Sequence, residues 1–384
     1  MSLRTISAFN NGELLGKRVV LRVGFDVPVE NGVVTNDFRI REALPTITQL
    51  RVAGARVVLI SHIGRDKNES LAPVHMALIK HVPCAWAGGL IGEDITTKIA
   101  ALADGEMILL ENLRSNDGET ANDDTFAKTI ASYGDLYVNE AFSVAHREHA
   151  SIVGIPKYVP SYAGLGFEKE VTELANAFTP TSPSVFVIGG AKFDTKLPLI
   201  KKFMPLYEKI YVCGALAHDL WEARGVSVGA SLTSDVALTD TDIINAEKVI
   251  LPVDVRIQSL NGSARLDIPQ RVGGADVIMD AGPESVKAML ASLADGGTLL
   301  WNGPLGFYER GFTDSTEAFA EGVVETSART LVGGGDTVAA IEKLGLNSRF
   351  THVSTGGGAM LEFLEKGTLP GITALEEKIL THAT

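Results

Sequence analysis

Arg39, His62, Arg65, Arg114 and Arg147 fall at comparable places in the first half of the chain. The apolar run RVVLRV (18–23) leads to Asp26 and then to Arg39, in what reads as the opening turn of a helix. ARVVLI (55–60) leads into SHIGR with His62 and Arg65, EMILL (106–110) into ENLR with Arg114, and DLYV (135–138) into NEAFSVAHR with His146 and Arg147. Short apolar runs alternating with longer helix-compatible stretches predict βαβ units and a parallel sheet. Parallel sheets bind ligands beyond the carboxyl ends of their strands, so these four ends gather the basic residues into one patch. A single surface arginine is ordinarily solvated or paired with an acid. Cations at four strand ends together predict an anion site, and the guanidinium fork suits phosphate and carboxylate.

A second chemistry is written near the end of the chain. RTLVGGGDTVAAIEKLG and FTHVSTGGGAM each carry an apolar run into three glycines and then a helix-forming segment. Glycines let main chain approach a ligand closely, and the helix that follows turns unpaired N–H groups and a positive dipole end toward the loop, which favours phosphate. Asp336 follows the first glycine set; it reads either as a carboxylate for a metal ion bridging phosphate oxygens or as a helix N-cap. Lys192 and Lys196 in GGAKFDTK are four apart and share one helix face, within reach of a phosphate. No Walker loop, complete dinucleotide fingerprint, HExxH, GxSxG or protein-kinase motif set is present.

The elements that must position these residues follow the same alternation. In the second half, strands are expected at 184–188, 209–212, 248–251, 276–279, 297–301, 329–332 and 351–354, forming a second sheet whose carboxyl edge is built from glycine loops. SYAGLGFEKEVTELANAF (161–178) reads as helix, with Val171, Leu174, Ala175 and Phe178 at helical spacing, and the Thr-Pro-Thr-Ser-Pro after it marks a domain boundary. With 384 residues, two domains are expected. A formal net charge of −13 argues against nucleic acid and gives no support for a polybasic membrane anchor. Cys84 and Cys213 are in no metal-ligand or redox spacing. With no apolar leader and no run of membrane-spanning length, a cytoplasmic protein is expected.

Together these segments resemble the phosphoglycerate kinase family over nearly the whole chain. The resemblance is carried by RVGFDVP (22–28), SHIGR (61–65), LLENLR (109–114), VNEAFSVAHREHAS (138–151), GGAKFDTK (189–196), LPVDV (251–255), WNGPLGFYE (301–309), GGGDT (333–337) and STGGGAMLE (354–362). It implies an α/β protein of two doubly wound parallel-sheet (Rossmann-like) domains joined by a hinge helix. The expected boundaries are an acceptor domain at 1–161, the interdomain helix at 162–178, a nucleotide domain at 179–368, and a segment at 369–384 that returns to the first domain. It implies reversible transfer of the γ-phosphoryl group of Mg-ATP to the carboxylate of 3-phosphoglycerate, which in glycolysis runs from 1,3-bisphosphoglycerate and ADP. Acceptor contacts are implied at Gly24, Phe25, Asp26, Arg39, His62, Ile63, Gly64, Arg65, Arg114 and Arg147. Nucleotide contacts are implied at Lys196, Asn302, Glu309, Gly334, Gly335, Asp336 and Thr337, with Mg²⁺ on Asp336. Arg39, Lys192 and Gly357 would act on the phosphoryl group in flight. A monomer without nucleic-acid or membrane partners is the family expectation.

Three places depart from the family pattern. Gly24 and Asp26 stand where Asp and Asn are usual, so a carboxylate has moved two positions along an extended strand, on the same face. Asp26 is expected to take over a hydrogen bond to the acceptor hydroxyl, with altered affinity. Asp66 replaces a proline, and Cys213-Gly214-Ala215-Leu216-Ala217 replaces a glycine-rich adenine segment. A non-catalytic ligand-binding paralogue is the alternative these departures leave open. A dinucleotide dehydrogenase would leave the basic patch idle.

Overall fold

The computed structural model describes residues 3–10, 12–191, 193–235 and 238–376. The chain forms two compact units, one running through Thr172 and resuming at Thr368, the other Glu173–Gly367.

The first unit is built on a six-stranded sheet in the order Ala85–Trp86, Met107–Leu109, Arg56–Ile60, Arg18–Arg22, Leu136–Asn139, Ser161–Ala163. Every pairing is parallel, with Val20 facing Val58 on one side and Tyr137 on the other. Val19, Val20, Leu21, Val57, Val58 and Leu59 are all fully buried, so both faces of these strands are covered. That is why they read as continuous apolar runs rather than alternating ones. The helix Phe38–Val52 packs Ile40, Ile47 and Leu50 into the core on one face. Its second residue is Arg39, which therefore sits at the helix start. The first strand in sequence lies in the middle of the sheet, and the chain winds outward on one side before returning to the other. That reversal opens a crevice at the strand ends.

The second unit repeats the plan, in the order Val249–Ile250, Lys209–Val212, Ser184–Ile188, Thr298–Asn302, Arg329–Gly333, His352–Val353, again all parallel. Its reversal falls between Ser184–Ile188 and Thr298–Asn302.

Two expectations need correction. The strand expected at 276–279 exists, as Val277–Ala281, but it belongs to a separate antiparallel sheet with Val255–Gln258 and Ala264–Asp267. An apolar run ending in glycine specifies a buried strand, not which sheet receives it. Ala264–Asp267 is largely exposed and carries no apolar pattern. The helix expected across 162–178 is also shorter than its sequence pattern: Ser161–Ala163 is a parallel edge strand, the helix is Leu165–Ala175, and Asn176–Phe178 is a 3-10 turn.

Candidate functional site

In the first unit the strand ends are pinned to one another before any cation is placed. The Ser61 hydroxyl donates to Val23 O at 2.9 Å and accepts from Phe25 N–H at 3.1 Å. Asn112 accepts from Ile63 N–H at 3.2 Å and donates to Ile63 O and Glu69 O. Gly64 turns with φ +58, a backbone conformation that side chains rarely adopt, and an added Cβ would also displace the Glu69 carboxylate.

On this frame the expected acceptor residues converge. Asp26 Oδ1 accepts from Gly64 N–H at 2.9 Å, Asp26 Oδ2 faces His62 Nε2 at 3.6 Å, and Arg39 Nη1 donates to Asp26 O at 2.9 Å. Arg114 donates from Nη1 to Gly64 O. Burial lowers the Arg114 pKa, and the neighbouring charges of Arg147 and Arg65 lower it further, which sets both in the same positive field. Phe25 and Ile63 have buried side chains packed in the hydrophobic core, so only their main chain is available to a ligand. Burying a phenylalanine of this kind contributes about 1.5–3 kcal/mol to the fold.

His62 is not a cation. It is buried, and desolvation, reinforced by the charges of Arg22 and Arg114, pulls its pKa down to about 3 despite its contact with Asp26. Arg22 Nη2 lies 2.8 Å from His62 Nδ1. A guanidinium only donates, so Nδ1 accepts and the ring proton is on Nε2, directed at the Asp26 carboxylate. Burial alone would raise the Asp26 pKa. Hydrogen bonds from His62 and Gly64 N–H, with the charge of Arg39, outweigh it and hold the carboxyl at about 2.

Sequence reasoning missed what lies behind His62. Arg22 is 1% exposed. It donates from Nη1 to Val23 O and from Nε to Ser151 Oγ at 3.1 Å. Ser151 in turn donates its hydroxyl to Glu119 Oε1 at 2.6 Å and its N–H to Glu119 Oε2 at 2.9 Å, while Tyr137 OH donates to Ser151 O at 2.6 Å. The signal was an arginine inside the apolar run RVVLRV, where a buried charge requires partners. Gly24 has no such constraint: its φ is unremarkable and an added Cβ would meet Ser143 Oγ at an ordinary 3.6 Å.

In the second unit a cavity of about 780 Å³ lies at the strand ends. Lys196, Asn302, Glu309, Gly334, Gly335, Asp336 and Gly357 all line it. Thr337 does not; it is fully buried beneath the loop, so its contact with a ligand is limited to main chain. Lys192 lies outside the described residues. The helices Ala215–Ala223, Gly335–Lys343 and Gly358–Lys366 begin at the cavity wall, each capped by a glycine (Gly214, Gly334 and Gly357). The first N–H groups of each helix have no partner within it, so three positive helix ends face one space. Close main-chain packing makes this possible: Gly334 has φ +102, and a Cβ there would stand 3.0 Å from Gly303 N. The Lys196 ammonium donates to Gly189 O and is 8% exposed, a point charge held at the sheet reversal.

Ala217, Leu232, Met279 and Leu361 add apolar surface to its walls, and His218 is held by Leu232 O at 2.7 Å. These residues were not foreseen. Ala215 and Ala217 are among its lining residues, so the cavity stays open at this segment. Asp280 also lines it, and burial pushes its pKa up to about 7 against the hydrogen bonds from Ser315.

No group of three or more His, Cys, Asp or Glu side chains disposed to hold a metal ion occurs among the described residues. A cage made wholly of protein is therefore not what this donor set offers. A half-buried carboxylate beside helix N-termini, as at Asp336, would suit a Mg²⁺ ion that keeps several waters and is held partly by substrate phosphates. No helix among the described residues is long and apolar enough to cross a membrane.

A family model described as phosphoglycerate kinase matches residues 9–367. The chain is 39% identical to the phosphoglycerate kinase of Trichodesmium erythraeum over 407 residues, covering 98% of this chain and 100% of that relative. It is likewise 39% identical to that of Dictyoglomus turgidum, with the same coverage. The solved structure of phosphoglycerate kinase from Coxiella burnetii matches with a TM-score of 0.83 at 35% identity, covering 97% of this chain and 98% of that one. The structure from Pyrococcus horikoshii matches with a TM-score of 0.84 at 26% identity, with the same coverage.

Proposed function

The chain belongs to the phosphoglycerate kinase family, and from that membership and its two sites we infer the reaction and the residues that carry it. It is an enzyme of glycolysis that transfers a phosphoryl group reversibly between ATP and the carboxylate of 3-phosphoglycerate. The observation that supports this best is the tie of Arg39, His62, Arg114 and the Gly64 loop around Asp26. A protein that bound nucleotide alone would have no use for a second anion site.

The acceptor carboxylate is ionised near neutral pH, so no general base is needed. The protein's task is positioning and charge neutralisation. Arg39, Arg65, Arg114 and Arg147 supply fixed positive charge for the acid and its phosphate. His62, neutral, supplies a directed N–H rather than a charge. Lys196 and the helix starts at Gly334 and Gly357 neutralise the triphosphate and the group in transfer, and Asn302 and Glu309 hold the remainder of the nucleotide. Asp336 would hold Mg²⁺, which when bound neutralises charge on the phosphate oxygens. Lys192, on sequence grounds, joins Arg39 and Gly357 around the phosphoryl group.

We further propose an acceptor domain at 1–161, a nucleotide domain at 179–368, and a hinge at 162–178 that lets the ligands meet with water excluded. The segment from 369 would return to the first domain. The protein is read as a cytoplasmic monomer. A coupled assay with ATP, Mg²⁺ and 3-phosphoglycerate tests the reaction, and turnover is expected. Tight binding of both ligands without turnover would favour the non-catalytic paralogue. Compaction of the radius of gyration on adding both ligands tests the hinge.

A further inference from the structure

Asp26 is an anion lodged among the donors of an anion site. Its Oδ1 takes the Gly64 N–H, its Oδ2 faces the His62 N–H, and its main-chain oxygen holds the Arg39 guanidinium. A peptide N–H in a glycine turn, an imidazole N–H and an arginine fork are what an incoming oxyanion would be offered. The side chain is nonetheless 41% exposed, so it is neither sealed in the core nor shielded from a ligand. Around it, the like charges of Arg147 and Arg65 oppose the protonated form of Arg114, while the Asp26 carboxylate favours it. Such a cluster is held together in the absence of ligand by a counter-charge of its own.

We propose that Asp26 is a resident counter-anion that stabilises the ligand-free cation cluster and sets acceptor affinity by opposing the negative charge of the bound acceptor. The inference rests on reading this cluster as the 3-phosphoglycerate site. It differs from the expectation that Asp26 accepts a hydrogen bond from the acceptor hydroxyl. Both effects of the carboxylate, stabilising the empty site and repelling the ligand, weaken binding. Removing the charge therefore tightens binding while destabilising the empty protein. A residue with a purely structural role would loosen both.

Asp26→Asn keeps an oxygen for the Gly64 N–H and removes the charge. In the full-length protein its KM for 3-phosphoglycerate at saturating Mg-ATP should fall roughly tenfold at low ionic strength. The ratio to the native enzyme should approach one at about 0.5 M salt, where the Debye length is only a few ångströms. The ligand-free variant should also melt at lower temperature. Asp26→Ser, which also removes the charge, should move KM the same way and serves if the asparagine variant does not fold. Sulfate titrated into native protein and variant by calorimetry gives a readout independent of turnover, and the variant should bind it more tightly. An unchanged KM and sulfate affinity would overturn the proposal. A raised KM would also overturn it, and would show Asp26 gripping the acceptor. Native protein inactive with 3-phosphoglycerate would sink the functional reading instead, while the sulfate comparison would still judge Asp26.

Discussion

Replacing Glu140 by glutamine should remove a large pH-dependent loss of stability. Glu140 follows the strand Leu136–Asn139 and receives the N–H groups that open the helix Leu165–Ala175, from Gly166 at 2.9 Å and Phe167 at 3.4 Å. A helix N-terminus favours an anion, and Thr46 adds a hydrogen bond, yet burial outweighs both and pushes the carboxyl from 4.5 up to about 8. The folded protein therefore keeps this proton to about pH 8, while the unfolded chain releases its own near pH 4.5. Between those values the unfolded state binds fewer protons, so stability falls as pH rises. At about 1.4 kcal/mol per pH unit the loss approaches roughly 5 kcal/mol, and a few kcal/mol is the working figure once water penetration is allowed for. Glu140→Gln has the same shape, keeps one oxygen to accept the Gly166 N–H and does not titrate. In urea unfolding followed by circular dichroism from pH 5 to 9, the two proteins should be similar at pH 5, and the variant should become progressively the more stable toward pH 9. A difference that stays constant across the range would refute the reasoning.

Other outcomes follow from the sites. Gly334→Ala forces a Cβ to 3.0 Å from Gly303 N at φ +102; it should raise the nucleotide KM at least tenfold and cost about 1–3 kcal/mol of stability, with acceptor KM little altered. Because burial holds His62 at about 3, the acceptor KM should show no inflection from this ring near pH 6.5. His62→Ala should remove a component of native stability that declines as pH falls from 6.5 toward 3, since there the unfolded state takes up a proton that the folded state refuses. Burial pushes the Cys84 thiol up to about 12 and raises Cys213 as well. Native protein should accordingly react with a thiol reagent far more slowly than urea-unfolded protein at pH 8.

Both parallel sheets were legible because strands covered on two faces must be apolar throughout, and because glycines or cations punctuate their ends. The strand Ala264–Asp267 was not, since an exposed edge strand needs no pattern, and without it Val277–Ala281 was placed in the wrong sheet. The same limit applies to the site. Arginine is legible as an anion ligand when it follows a strand, but Arg22, inside one, is a buried prop whose partners Ser151 and Glu119 come from remote segments. His62 looked like a cation from its neighbours in sequence. Only three-dimensional burial beside Arg22 makes it neutral. Phe25 and Ile63 fall inside the motifs that carry the resemblance, yet their side chains build the core.

The wall of the second unit's cavity includes the peptide groups of Gly214, Gly334, Gly335, Gly357 and Gly358 beside the Lys196 and Asp336 side chains. Peptide amides neither titrate nor change when a codon does. A grip of this kind is therefore insensitive to acidity, and it depends on glycine at positions such as Gly334, whose φ of +102 other residues rarely adopt.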